Sequence, residues 1–153
     1  MLRPLNVAAL WCAGAGLVAM TGIVFYQVFG RYVLNRTPAW AEASAILLMS
    51  WFILLGAAVG VRERTHLGFD VLRHVVPRKV QVAMLAVSAA LVCGFGAMMA
   101  LYGWQLAQGT WSARIPTLGL PGGFQYIPLV IGGALIALFS LERLVRLLAG
   151  EEE

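Results

Sequence analysis

Charged residues are few in this sequence: Asp, Glu, Lys and Arg make up 12% of its 153 residues, against about 25% in an average soluble domain. At that density acids and bases cannot coat a soluble globule. Histidine and cysteine each occur only twice, as His66, His74, Cys12 and Cys93, and their positions show neither metal-ligand nor disulfide spacing. Cys12 and Cys93 lie inside apolar runs and read as packing residues. No Ser–His–Asp grouping, phosphate-binding glycine loop or haem-attachment motif occurs, so no enzyme hypothesis has residues to stand on. Low-complexity tracts, linkers and a visible repeat of one half in the other are also missing. The formal charge of +4 does not point to nucleic acid, because the bases do not form a stripe interleaved with aromatics.

What remains is apolar, at 61% of residues, and it is grouped. No charge falls between Arg3 and Arg31, between Glu42 and Arg62, between Lys79 and Arg114, or between Arg114 and Glu142. A helix needs about 20 mostly apolar residues to cross about 30 Å of hydrocarbon. All four runs are long enough, and four of them leave no surface for a soluble protein. The expected spans are about Leu5–Gly30, Ala41–Val61, Val80–Gln108 and Phe124–Leu141. The first run is longer than the core of a signal peptide and ends in no A-x-A-like site, so it is expected to remain as a span. The fold class predicted is an all-α integral membrane protein of four transmembrane helices, with residues 1–153 in one domain.

Orientation follows from Lys and Arg in the short loops. Arg3, Arg62, Arg64, Arg73, Arg78, Lys79, Arg143 and Arg146 gather on one side, and Arg31, Arg36 and Arg114 on the other. Eight against three places both termini and the central loop in the cytoplasm. Trp40, Trp104, Trp111, Tyr102 and Tyr126 then fall near the outer helix ends, as an interfacial aromatic belt does. In the central loop, His66, Asp70, Arg73 and His74 form one polar stripe, with Leu67, Val71, Val75 and Val76 opposite. That pattern predicts a short amphipathic helix lying in the interface, with Pro77 ending it or starting the turn into the third span. The loop between the third and fourth spans carries Pro116, Gly119, Pro121, Gly122 and Gly123, which predict a compact, turn-rich hairpin.

Two sets of residues could carry function. Gly56 with Gly60, and Ala86 with Ala90 and Gly94, repeat small residues at four-residue spacing. Small residues let helix backbones approach closely, within the chain or against a partner. Glu42 is the most interesting acid, at the start of the second span, just after Trp40. A negative charge there suits the helix dipole, with Arg31 or Arg36 as a possible partner; an ion-coupling role is the sharper alternative. His66, Asp70 and His74 resemble metal-ligand spacing only loosely, and no metal site is expected.

The segment Gly30-Arg31-Tyr32-Val33-Leu34-Asn35, followed by Pro38-Ala39-Trp40-Ala41-Glu42, resembles the small membrane subunit of TRAP transporters, the DctQ-like family. Leu55-Gly56-Ala57-Ala58, then Arg62, His66 and Asp70, resembles that family's next block. One position departs from the pattern: the family often has two adjacent acids after the tryptophan, and here Glu42 is followed by Ala43. The resemblance implies a tripartite importer of the bacterial inner membrane, in which a periplasmic binding protein captures an organic acid or similar solute. A large membrane subunit carries it with sodium, and the small subunit scaffolds that subunit without a cofactor of its own. On this reading the small-residue faces contact the large subunit, and Arg31, Tyr32, Asn35 and Trp40 hold the outer rim. Arg36 and Arg114 meet the binding protein, and His66, Asp70 and Arg73 fix the inner loop. Two other architectures share a four-helix plan: a self-sufficient dimeric exporter and an anchor subunit of a redox complex. The first helix lacks the acid such exporters use, and the spans lack haem-ligating histidines.

Overall fold

A computed structural model describes residues 3–36, 38–63 and 77–149. It contains four long helices: α1 (Arg3–Tyr32), α2 (Ala39–Glu63), α3 (Arg78–Gly109) and α4 (Ile127–Leu148). All four are long and apolar enough to cross a membrane. The first three agree with the expected spans to within two residues at each end. The fourth does not: Phe124 lies in a 3-10 turn, Gly122–Tyr126, and the helix continues past Leu141 to Leu148. It continues because Arg146 donates to the Glu142 carboxylate one turn earlier, at 2.6 Å, so the charges that mark the span's end do not break the helix. The expected amphipathic helix, with His66, Asp70 and Arg73, lies outside the described residues.

The helices form a row rather than a closed bundle. α1 packs on α2, α2 on α4, and α4 on α3. α1 and α3 run one way and α2 and α4 the other, so the two middle helices of the row are parallel and the outer ones antiparallel to them, which gives the row two ends. The corner end holds the C-terminus of α1, the N-terminus of α2 and the 110–121 loop. The basic end holds the N-termini of α1 and α3 and the C-termini of α2 and α4. The accessible surface is 10,237 Å², against about 7,600 Å² for a compact soluble monomer of this mass. Apolar side chains cover much of that surplus, as a bilayer requires.

Lipid is as apolar as leucine, so helix contacts here are selected by fit rather than by hydrophobicity. The described positions of α1 that are buried or half-buried are Asn6, Ala9, Ala13, Gly16, Met20, Ile23, Gln27 and Gly30. Their spacing alternates three and four, the seam of a left-handed coiled coil. Its first half is small: Ala9 and Ala13 join a core with Leu55, Ala58, Val59, Leu135, Ile136 and Phe139, and Gly16 faces Phe52. The outward face carries Trp11, Val18, Phe25 and Tyr32, each 72% exposed or more.

At the α3–α4 contact main chain meets main chain. A Cβ added at Gly96 would stand 2.7 Å from the Ala137 nitrogen and 2.8 Å from the Gly133 oxygen. One added at Gly133 would stand 2.8 Å from the Ala100 nitrogen and from the Gly96 oxygen. The two glycines therefore face each other, backbone to backbone. The Cys93 thiol, beside them, donates to the Ala137 carbonyl at 3.5 Å. Gly132 gives α2 the same access, since a Cβ there would lie 2.7 Å from that of Leu54.

The small residues singled out from sequence sit elsewhere. Gly56 and Gly94 have nothing within 4 Å of an added Cβ, Ala90 is exposed, and Ala86 and Gly60 are half-buried. Gly56 and Gly94 therefore do not pack against another helix among the described residues; their four-residue repeats point to lipid or to a partner. Regular spacing alone does not reveal which side of an all-apolar helix is covered.

Between α3 and α4 the chain makes the expected hairpin. Arg114 bridges Pro121, the Ile115 N–H donates to Leu120 at 2.9 Å, and the Gly119 N–H donates to Ile115 at 2.8 Å. Gly119 has φ of +67°, a conformation that costs glycine nothing. Pro128 occupies the first turn of α4, where its missing N–H is harmless.

Candidate functional site

Two constellations stand out, one at each end of the row. At the corner end, α1 finishes at Tyr32, and the chain turns back within four residues. The Val33 N–H donates to Phe29 at 2.8 Å, and the Arg36 N–H reaches back to Gly30 at 2.9 Å. Asn35 supplies the reversal with φ of +49°, which asparagine tolerates better than most side chains. The Arg36 carbonyl lies against Gly30, where an added Cβ would come within 2.8 Å of it. Gly30 and Asn35 are thus the two residues this turn needs sterically. α2 begins at once: the Ala41 N–H donates to the Pro38 carbonyl at 3.1 Å. The Trp40 ring stacks on Tyr26 of α1, with centroids 6.2 Å apart and 21° between planes, so the corner is clamped from the side.

The corner leaves its charges open. Arg31, Tyr32, Asn35, Arg36, Trp40 and Glu42 are all exposed. Arg31 lies in the last turn of α1 and Glu42 in the first turn of α2, and both suit the helix dipoles. Among the described residues Glu42 forms no ion pair, with Arg31, Arg36 or any other base. Neither of the two candidate bases takes it up; the carboxylate is exposed at its helix start. Arg114 is exposed as well, but on the separate 110–121 hairpin, where it bridges Pro121. The structure therefore assembles Arg31 to Glu42 into one corner and leaves Arg114 on a neighbouring loop.

At the basic end a second constellation forms that sequence reading did not single out. Phe139, Glu142, Arg143 and Arg146 lie at i, i+3, i+4 and i+7 of α4, along one face. Arg62, from the end of α2, lies across this face. Its guanidinium sits 5.1 Å from the centre of the Phe139 ring, and its Nη1 is 3.7 Å from Glu142. Arg146 takes the other carboxylate oxygen at 2.6 Å. Arg62 Nη1 and Arg143 Nε are buried atoms without a hydrogen-bond partner among the described residues. The sequence signal was available: one acid and two bases at helical spacing directly after an apolar run.

The mid-span positions of the described helices carry no charge. Their charged residues are Arg3, Arg31, Glu42, Arg62, Glu63, Arg78, Lys79, Glu142, Arg143 and Arg146, all within a few residues of a helix end. A site that moves an ion or an anionic solute through the bilayer centre normally needs such residues or broken helices.

Comparison with known proteins gives this arrangement a family context. The family model for tripartite ATP-independent periplasmic transporters, DctQ component, matches residues 20–150. The chain is 26% identical over 133 residues to a sialic acid TRAP transporter small permease protein, SiaQ, of Vibrio cholerae; the match covers 86% of this chain and 76% of that protein. It is 32% identical over 153 residues to a C4-dicarboxylate TRAP transporter small permease protein, DctQ, of Pseudomonas aeruginosa, covering 96% of this chain and 70% of that one. It is also 30% identical over 80 residues to the sialic acid TRAP transporter permease protein SiaT of Haemophilus influenzae, covering 52% of this chain but only 13% of that permease.

Proposed function

From the premise that this multi-pass membrane chain belongs to the DctQ component family, the small permease subunits of tripartite ATP-independent periplasmic transporters, we propose that it acts as a static scaffold for the large membrane permease. Transporter subunits of this family are not enzymes, and the exporter and redox-anchor readings give way to this membership. The observation that carries the scaffold role is the uncharged interior of the row, together with four unbroken helices. The described helices carry no charge with which to bind and release a solute at mid-membrane, but they present wide apolar faces on which a larger subunit can pack. The SiaT match supports a lasting association, since a segment like this one occurs there within a much longer permease.

In this reading the basic end faces the cytoplasm of a bacterial inner membrane, by the positive-inside rule. The corner end then faces the periplasm, where Arg31, Arg36 and Arg114 help to dock the substrate-binding protein. Sodium sites and the solute site belong to the large subunit. The relatives are named for sialic acid and C4-dicarboxylates, so the solute class proposed is an organic acid. The exposed stripes with Gly56 and Gly94 are the candidate faces for the large subunit. Co-expression with the large permease of the same operon tests the proposal. The two are expected to co-purify in mild detergent, and uptake in proteoliposomes is expected to require both. Separate purification, with transport intact in the absence of this chain, overturns it.

A further inference from the structure

Among the described residues the basic end holds six bases, Arg3, Arg62, Arg78, Lys79, Arg143 and Arg146, against two acids, Glu63 and Glu142. Arg62 and Arg146 pair with the Glu142 carboxylate, and Arg143 follows it in α4. Two of their N–H groups, at Arg62 Nη1 and Arg143 Nε, are withdrawn from solvent without an acceptor among the described residues. Buried donors are rarely left so in a finished structure, because the lost hydrogen bonds to water are not replaced. An acceptor with several oxygens and a negative charge would satisfy both donors.

Its depth narrows the identity of that acceptor. The apolar spans of α2 and α4 end at Arg62 and Leu147, so the cluster lies where hydrocarbon gives way to headgroups. Beside it, Leu138, Leu141 and Val145 of α4 are 47%, 48% and 57% exposed. A charged pocket rimmed by an open apolar ridge suits a molecule that has a phosphate and acyl chains. Guanidinium groups match phosphate oxygens in fork geometry. We propose that this face binds the phosphate of an anionic phospholipid, with Arg62, Arg143 and Arg146 as donors and the acyl chains along Leu138, Leu141 and Val145. Glu142 orients the arginines, and the Phe139 ring supports Arg62. The inference needs only the membrane embedding and does not depend on the partner subunits.

The test uses the full-length chain in mild detergent, stripped of lipid and followed by native mass spectrometry. It is titrated with phosphatidylglycerol, phosphatidylcholine or inorganic phosphate. Phosphatidylglycerol is expected to bind more tightly than phosphatidylcholine. Near a membrane surface each arginine is worth about fivefold in affinity for anionic lipid, so Arg146→Gln is expected to weaken binding about fivefold and Arg143→Gln/Arg146→Gln about 25-fold. Arg146 is half-exposed, so its single variant keeps the test decisive if the double variant does not fold. Arg114→Gln, at the other end, is expected to bind as the parent does. Equal binding of the two lipids, unchanged affinity in Arg146→Gln, or an equal loss in Arg114→Gln overturns the proposal. Displacement of phosphatidylglycerol by inorganic phosphate at matching concentration overturns the lipid assignment in favour of a free anion.

Discussion

Substituting Gly133 by alanine tests the packing argument most directly. The added methyl carbon meets the Ala100 nitrogen and the Gly96 oxygen at 2.8 Å and the Met99 Cβ at 2.9 Å. Ordinary contact begins at 3.4 Å, so α3 and α4 must part by roughly 0.6 Å, and close-packed interiors yield little at fixed cost. Neither nitrogen nor oxygen here belongs to a flexible side chain; both are main-chain atoms of a helix, so the strain cannot be relieved by a rotamer change. Overpacking of this kind costs about 1–3 kcal/mol. Alanine recovers up to about 1 kcal/mol through its better helix propensity, which leaves a net loss of about 0–2 kcal/mol. Gly94→Ala is the internal control, because nothing lies within 4 Å of its added Cβ; it has the propensity gain without the clash. The stability difference between the two variants is therefore expected to be about 1–3 kcal/mol. Reversible unfolding in mixed micelles, read by circular dichroism, measures it. Gly96→Ala adds a second check: once the helices have parted, the second methyl costs less, so the double variant is expected to lose less than the two singles together. Equal stability of Gly133→Ala and Gly94→Ala refutes the backbone-to-backbone contact.

Glu142→Gln leaves the Arg62 guanidinium without its carboxylate while both side chains stay about four-fifths covered; with a discount for that partial exposure, a loss of about 1–2 kcal/mol is expected in the same unfolding assay. At the corner, Asn35→Ala forces an ordinary side chain into φ of +49° and is expected to cost about 1 kcal/mol, whereas Asn35→Gly is expected to fold as stably as the parent; thermal melting of both separates turn strain from loss of the side chain. Glu42→Gln removes an exposed charge without an ion-pair partner among the described residues, so stability is expected to change by less than about 0.5 kcal/mol. Any defect is expected in assembly with the large subunit rather than in sodium coupling, and a changed sodium stoichiometry in an intact complex counts against that.

Individual residues show where sequence reasoning reached the structure and where it stopped. Gly30 and Asn35 were legible as part of a family-like motif, and the structure supplies their reason: a carbonyl pressed on one and a left-handed φ at the other. Gly119 and Pro121 announced a hairpin because turn chemistry is local. The seam of α1 was harder to read. Asn6, Ala9, Ala13, Gly16 and Gln27 follow a three-four spacing, but in a helix that is apolar all round, covered and uncovered sides share one hydrophobicity. Size and polarity are the remaining clues, and Gly56 and Gly94 offer the same clue on surfaces that none of the described helices covers.

The sequence by itself determined the number of helices, their approximate limits, their alternation across a bilayer and the family to which they belong. Each of these follows from runs of charge-free residues, loop chemistry or motifs a few residues long, which need no distant contact. Only the tertiary structure decided that the helices stand in a row, that Gly96 meets Gly133, and that Arg62 crosses to Glu142 and Phe139. Those facts join residues from 37 to 80 positions apart, and in a lipid solvent they are set by shape and pairing, for which an almost uniformly apolar sequence carries little contrast.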